Sequence, residues 1–228
     1  MTVRDLTKTY DGRRVLNVEA FEFEKGKIYA VVGANGSGKS TFAKVLAGAV
    51  KAESGTVEAN GVIRYSPQKN YAFRMSTLKN VLMAGKGKQD KKRAKEFLEK
   101  LGMEHLIKTP AHKLSGGETA KMALARVMMQ KCDYIILYEP CAAMDVQSTL
   151  KTEELVKAYC EKCSCAVIII THSLKQAERV AAEVLYFEEG ILTESGASAE
   201  LLHNPKSEKT KAFLDFYTIK RAVKVRKL

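Results

Sequence analysis

The rhythm of apolar and polar residues changes along this 228-residue chain. It opens with short alternating stretches, Thr2-Val3-Arg4-Asp5-Leu6 and Phe21-Glu22-Phe23-Glu24, with the turn signal Asp11-Gly12 between them. The unbroken apolar run Ile28-Tyr29-Ala30-Val31-Val32 predicts a buried strand, and Phe42 and Leu46, at i and i+4, predict a helix after it. Ser54-Gly55 then leads into Thr56-Val57-Glu58, and Asn60-Gly61 into Val62-Ile63-Arg64-Tyr65. These short, turn-separated strands predict an antiparallel layer beside the buried sheet.

From Pro67 to Gln130 helical spacing takes over. Leu78, Val81 and Leu82 share one face; Ala94, Phe97, Leu98 and Leu101 form another stripe, ended by Gly102. Pro110 breaks the chain, and a further helix starts near Gly116 with Met122, Ala125, Arg126 and Met129 along it. Strand and helix then alternate: Tyr134–Tyr138 as a buried strand, Ser148–Glu161 as a helix, Ala166–Ile170 and Val184–Phe187 as strands. A last helix, Glu208–Phe216, turns Phe213 and Phe216 to its apolar side. Such alternation implies a largely parallel sheet with right-handed crossovers. The expected fold is α/β: one domain over 1–228, with 1–66 and 131–228 forming an α/β core with an antiparallel β layer and 67–130 an inserted helical subdomain.

Composition refines this only modestly. With 46% hydrophobic and 28% charged residues the chain can build a sizeable core. Its longest apolar run, Cys165–Ile170, falls well short of the ~20 residues that span a bilayer, and the N-terminus lacks the apolar stretch of a signal peptide. The expected location is therefore cytoplasmic, at a membrane only through a partner. The net charge of +12 is concentrated in Lys86, Lys88, Lys91, Lys92, Arg93 and Lys95 and in the tail residues Lys220, Arg221, Lys224, Arg226 and Lys227. These clusters read either as solvated faces or as contacts for anionic headgroups. The five cysteines are expected to be reduced thiols. Of these, Cys160, Cys163 and Cys165 are spaced closely enough to weigh a metal site against small residues at a helix end and strand start.

The sharpest chemical signal is Gly33-Ala34-Asn35-Gly36-Ser37-Gly38-Lys39-Ser40-Thr41, which lies between the buried strand and the helix. Glycines at this spacing let backbone N–H groups converge on an anion, and the helix N-terminus adds its positive dipole end. Lys39 reaches β- and γ-phosphates, and the Ser40 hydroxyl ligates Mg²⁺.

A second motif, Leu114-Ser115-Gly116-Gly117-Glu118, precedes a helix, and the strand beyond that helix runs into Glu139-Pro140. Together with the phosphate loop, this order resembles the nucleotide-binding subunit of ATP-binding cassette (ABC) transporters over residues 1–200. The resemblance implies that Tyr10 stacks on adenine. It implies that Gln68 joins the core to the helical insert and touches Mg²⁺ or the attacking water. Ser115, Gly116, Gly117 and Glu118 would contact ATP held by an opposite subunit, and Asp145 would lie in the loop facing it. Glu139 would polarise water, and His172 would sense the γ-phosphate. Two subunits, expected as a homodimer, would bury two ATP molecules head to tail, with binding driving closure.

The chain departs from the family pattern at several positions, Tyr138 foremost. The strand before Glu139 ends in Tyr138 where an aspartate is expected, so a Mg²⁺-supporting charge is missing. ATP binding with impaired Mg²⁺ handling is the expected result. Ala142 likewise replaces a serine at the expected subunit interface. The chain is thus read as an ATP-hydrolysing subunit of an importer, with transmembrane permease partners and an extracytoplasmic solute-binding protein. The cargo would be a small solute such as an oxyanion or polar amino acid. The alternatives are a hydrolysis-impaired regulatory subunit or a soluble cassette protein acting on nucleic acid or ribosomes. Direct nucleic-acid contact is not expected, because the chain has neither a second cassette nor a long coiled coil.

Overall fold

The computed structural model describes residues 1–85 and 87–225, with side chains described through Tyr217 at the C-terminal end. Lys86, Arg226 and Lys227 of the two basic clusters lie outside the described residues, as do the side chains of Lys220, Arg221 and Lys224. The chain forms two compact units. One comprises Met1–Phe23, Ile28–Glu58 and Ile170–Leu228, the other Glu24–Lys27 and Ala59–Ile169.

The first unit contains β1 (Thr2–Tyr10), β2 (Arg13–Glu22), β3 (Ile28–Gly33), α1 (Lys39–Leu46) and β4 (Ser54–Glu58). The second contains β5 (Ile63–Ser66), α2 (Thr77–Leu82), α3 (Lys88–Lys100), α4 (Gly116–Met128), β6 (Tyr134–Tyr138), α5 (Val146–Cys163) and β7 (Ala166–Ile170). The chain then returns to the first unit as α6 (Leu174–Val180), β8 (Glu183–Glu188), β9 (Ile191–Ala197), α7 (Ser198–His203) and α8 (Glu208–Val225).

In the first unit the strand order is β4-β1-β2-β9-β8-β3. β1 pairs antiparallel with β2 and β4, whereas β3 and β8 run parallel, Gly33 opposite Phe187. The β1–β2 hairpin is longer than its sequence pattern predicts, and β2 ends at Glu22 rather than Glu24. Asp11 and Gly12 both take positive φ, 49° and 75°, a primed turn whose twist lets pairing continue to Tyr10 and Arg13. An aromatic cluster underlies the unit: Phe23 lies 5.0 Å edge-on from Tyr29, and Phe42 of α1 lies 4.8 Å from Phe187 of β8. Burying Phe42 here seats α1 and the loop that leads into it.

In the second unit the order is β7-β6-β5. Here the sequence expectation fails. The turn-separated pattern at Val62–Tyr65 predicts a strand of the antiparallel layer, but β5 pairs parallel with β6, Ser66 opposite Leu137. The Asp133 carboxylate fixes this register, accepting from the Val62 N–H at 2.7 Å and from Lys25 Nζ at 2.5 Å. That long-range clamp has no local sequence signature. α2, α3 and α4 occupy the segment read as helical. α3 buries Ala94 and Leu98 and leaves Phe97 half-buried. α8 extends beyond Phe216, and the expected apolar side is corrected. Phe213 stacks 4.8 Å from Tyr186, but Phe216 is 53% exposed because the buried stripe runs through Thr210 and Leu214.

Candidate functional site

In the first unit, β3 is buried throughout and delivers the chain at Gly33. The following loop is tied down from outside: Ser37 carbonyl accepts from the Gly190 N–H at 3.1 Å, and the Asn17 N–H donates to the Gly190 carbonyl at 2.7 Å. Gly38 caps α1 with φ 95°, and a Cβ there would sit 2.6 Å from the Val15 carbonyl oxygen. Only glycine meets both conditions. Phe42 N–H returns to the Gly38 carbonyl at 2.9 Å, so the amides of Lys39, Ser40 and Thr41 precede the first intrahelical bond. They form an anion-ready helix start.

Lys39 is 3% exposed, and its ammonium donates to the carbonyls of Gly33 at 2.8 Å and Ala34 at 2.7 Å and to Ser37 Oγ at 3.2 Å. The charge is thus aimed back into the loop. Asn35 and Gly36 are exposed at its rim, with Ser40 and Thr41 half-buried beneath. His172 follows the buried Thr171, whose N–H donates to the Val31 carbonyl at 3.2 Å. Desolvation and then the Lys39 charge hold the imidazole below its ordinary pKa, opposed by its hydrogen bond to the Gly33 carbonyl. The structure therefore brings Gly33, Lys39 and His172 together. Tyr10, at the end of β1, is 43% exposed, with Lys8 Nζ 5.2 Å from its ring centre.

In the second unit, Ser115 caps α4. Its Oγ accepts from the Glu118 N–H at 3.3 Å, while the Glu118 carboxylate accepts from the Ser115 N–H at 2.8 Å. This reciprocal box gives Glu118 a defined role in holding the motif. Gly116 is exposed; Gly117 is buried beneath the Ala143 carbonyl. Asp145 caps α5, accepting from the Ser148 N–H and hydroxyl, each at 2.8 Å, and these bonds lower its pKa. Lys121 Nζ donates to the same hydroxyl at 2.7 Å, linking α4 to the α5 cap. Asp145 therefore has a structural task that its sequence position did not announce.

Tyr138 ends β6 and is 6% exposed; burial and then the Tyr138 phenol raise the Tyr65 pKa. Glu139 is half-buried with φ 47°, and its carbonyl accepts from the Ala142 N–H at 3.0 Å. Such a conformation is strained for glutamate and turns the chain sharply off the strand. Gln68 is exposed in the loop after β5.

Beyond that loop, sequence reasoning missed Asn80. It is fully buried; its Oδ1 accepts from the Phe73 N–H at 2.9 Å, and its amide donates to the Phe73, Met75 and Ser76 carbonyls. Arg126 adds a bond to the Tyr71 carbonyl at 2.9 Å and lies over the Phe73 ring at 5.4 Å. Segment 71–76 is thereby fastened to α2 and α4. A lone asparagine in a helical stripe gives no sequence signal for this.

The cysteines are free thiols. Cys160 Sγ donates to the Cys165 carbonyl at 3.1 Å, and Cys132 Sγ lies 3.5 Å from Tyr159 Oη. Among the described residues no group of three or more His, Cys, Asp or Glu could hold a metal ion, and no helix is long and apolar enough to cross a membrane.

A phosphate-loop cassette with a capped Ser-Gly-Gly motif is the class these features define. The ABC transporter family profile matches residues 16–142, and the chain belongs to that family as an ATP-binding ATPase subunit. It is 33% identical to the zinc import ATP-binding protein ZnuC of Vibrio vulnificus over 210 residues, covering 90% of this chain and 79% of that one. It is 34% identical to the tungstate uptake system ATP-binding protein TupC of Peptoclostridium acidaminophilum, covering 86% and 97%. A solved ATP-binding subunit of an ABC transporter shares the fold, with a TM-score of 0.82 at 19% identity, covering 94% of this chain and 98% of that one.

Proposed function

We propose that this subunit binds Mg²⁺-ATP in loop 33–41 and closes on a second cassette, most simply its own copy, to drive a permease that imports a small solute. The observation that carries this reading is the loop itself: a buried Lys39 ammonium held among loop carbonyls at a helix start. ATP would exchange those carbonyls for phosphate oxygens. Tyr10 offers an exposed ring for adenine. Ser115–Gly117, pre-shaped by the Glu118 box, would take the γ-phosphate of the opposite subunit, and Asp145 would line that interface.

Ser40 and Gln68 offer a hydroxyl and an amide oxygen, hard donors suited to Mg²⁺. The ion, when bound, neutralises charge on the β- and γ-phosphates. Glu139 would orient water, and neutral His172 would sense the γ-phosphate from the Gly33 side of the loop. Tyr138 adds no carboxylate, so turnover would be slow or demand more Mg²⁺ while ATP binding is retained. A hydrolysis-impaired regulatory subunit is the second reading, favoured by the same residue.

Two related subunits are named for zinc and tungstate, a cation and an oxyanion, so the cargo would be chosen by the permease and an extracytoplasmic binding protein. The subunit would work on the cytoplasmic face.

The test has two parts. Isothermal titration should detect ATP binding that Lys39→Ala weakens by about 10–100-fold, the loss of contacts worth roughly 1.5–3 kcal/mol. Purification from native membranes should recover a permease with the wild-type chain. Undiminished binding by Lys39→Ala overturns the site, and recovery with ribosomes or RNA instead overturns the transport role.

A further inference from the structure

The second unit carries a cleft that ATP chemistry does not use. Arg93, Phe97 and Lys100 of α3 face Leu155, Tyr159 and Lys162 of α5 across a solvent-open cavity of about 90 Å³. A second hollow of about 300 Å³ shares Arg93, Lys162 and Cys163 with it and adds Lys92 and Lys131. The second reaches the lower end of the roughly 300–1,000 Å³ typical of binding clefts, and the first is smaller.

The chemistry of the walls is uneven. The floor is apolar: half-buried Phe97 and the side chains of Leu155, Ala158 and Tyr159. The rim is basic: Lys92, Arg93, Lys100, Lys131 and Lys162 are joined by one carboxylate, that of Glu96. Several parts are already fixed. Arg93 donates to the Met128 carbonyl at 3.1 Å and lies 5.4 Å from the Phe97 ring centre, and Tyr159 Oη donates to the Gln130 carbonyl at 2.8 Å. An occupant would therefore not have to order these side chains, which lowers the entropic cost of docking.

We propose that this cleft docks an acidic segment of a partner protein, which sets one aliphatic or aromatic side chain on Phe97 between the lysines. Charge complementarity demands the acidic flanks, and the apolar floor demands the anchor. A nucleic-acid backbone or an anionic bilayer would meet the lysines but leave the concave floor unfilled. The site goes beyond the transport reading and does not depend on it.

The probe is a short fluorescein-labelled peptide of Asp and Glu with a central Leu, followed by anisotropy on the full chain. Wild type should bind it, and replacing the central Leu by Gly should weaken binding. The double variant Lys100→Glu/Lys162→Glu should lose about tenfold or more, while Lys44→Glu/Lys51→Glu, with the same charge change elsewhere, should lose less than about twofold. Retained ATP affinity verifies that each variant is folded. Bound peptide should also slow maleimide labelling of Cys163, read by peptide mass mapping. Absence of binding, equal loss in both double variants, or equal affinity for the Leu and Gly peptides overturns the proposal. So does tighter binding of single-stranded RNA or phosphatidylserine vesicles than of the Leu peptide.

Discussion

The carbonyl oxygen of Ala143 lies 2.6 Å from where a Cβ on Gly117 would stand. The α4 start and the loop before α5 are therefore in backbone contact, and a methyl group between them must push one away. Gly116 differs: a Cβ there would meet the Ala143 side chain at an ordinary 3.7 Å. Gly117→Ala is expected to destabilise the fold by about 1–3 kcal/mol through overpacking. Gly116→Ala should change stability by less than about 1 kcal/mol, since alanine is the better helix former. Chemical denaturation of both variants checks this; equal losses would contradict it.

His172 should titrate below its usual 6.5, because burial and Lys39 disfavour the imidazolium. Its lowered native pKa means that its contribution to stability is complete above the unfolded value of about 6.5 and is lost as pH falls through the native one. ATP bound at loop 33–41, as proposed, would bring negative charge to the same corner, so nucleotide should raise the His172 pKa. Imidazole NMR titrations with and without ATP measure both shifts. An unchanged pKa on nucleotide addition would remove His172 from the phosphate site.

Tyr138→Asp restores a carboxylate beside Glu139. The Mg²⁺ midpoint of ATPase activity should fall, or the rate rise, by about 10–100-fold. ATP affinity measured without Mg²⁺ should stay nearly constant. Equal rates and equal midpoints would show that Tyr138 is not what limits turnover.

Asn80→Ala should cost about 1–3 kcal/mol, because it removes the side-chain acceptor of the Phe73 N–H and the amide bonds to the Phe73, Met75 and Ser76 carbonyls. Amide exchange should quicken across residues 71–76 before it does so in β6. Uniform acceleration throughout the unit would argue against a local fastening role.

Much of this architecture was legible because local signals agree. The apolar run at 28–32, the glycine loop and the Phe42/Leu46 spacing place strand, turn and helix without tertiary information. The Ser115–Glu118 pattern likewise marks a helix cap. What stayed hidden depends on distant partners. The direction of β5 is decided by pairing with β6 and by the reach of Asp133 to Val62. The Asn80 carbonyl network and the second task of Asp145 are visible only once loops from elsewhere fold onto them. α6, β9 and α7 leave little trace in the sequence because α6 and α7 are short, burying Ala177 and Leu201 among few apolar residues, and β9 has no fully buried residue.

The inward-turned Lys39 ammonium has a consequence for selectivity. An anion arriving at the loop is not offered a bare cation; it must outcompete two carbonyl oxygens that already satisfy it. Only the difference between the two sets of contacts appears as affinity. A lone inorganic phosphate or a carboxylate metabolite, which engages the lysine and few amides, gains little from the exchange. A polyphosphate that spans several loop amides at once gains enough to displace them. On the proposed reading of the loop, the resting bonds of one side chain would act as a threshold against the small anions of the cell.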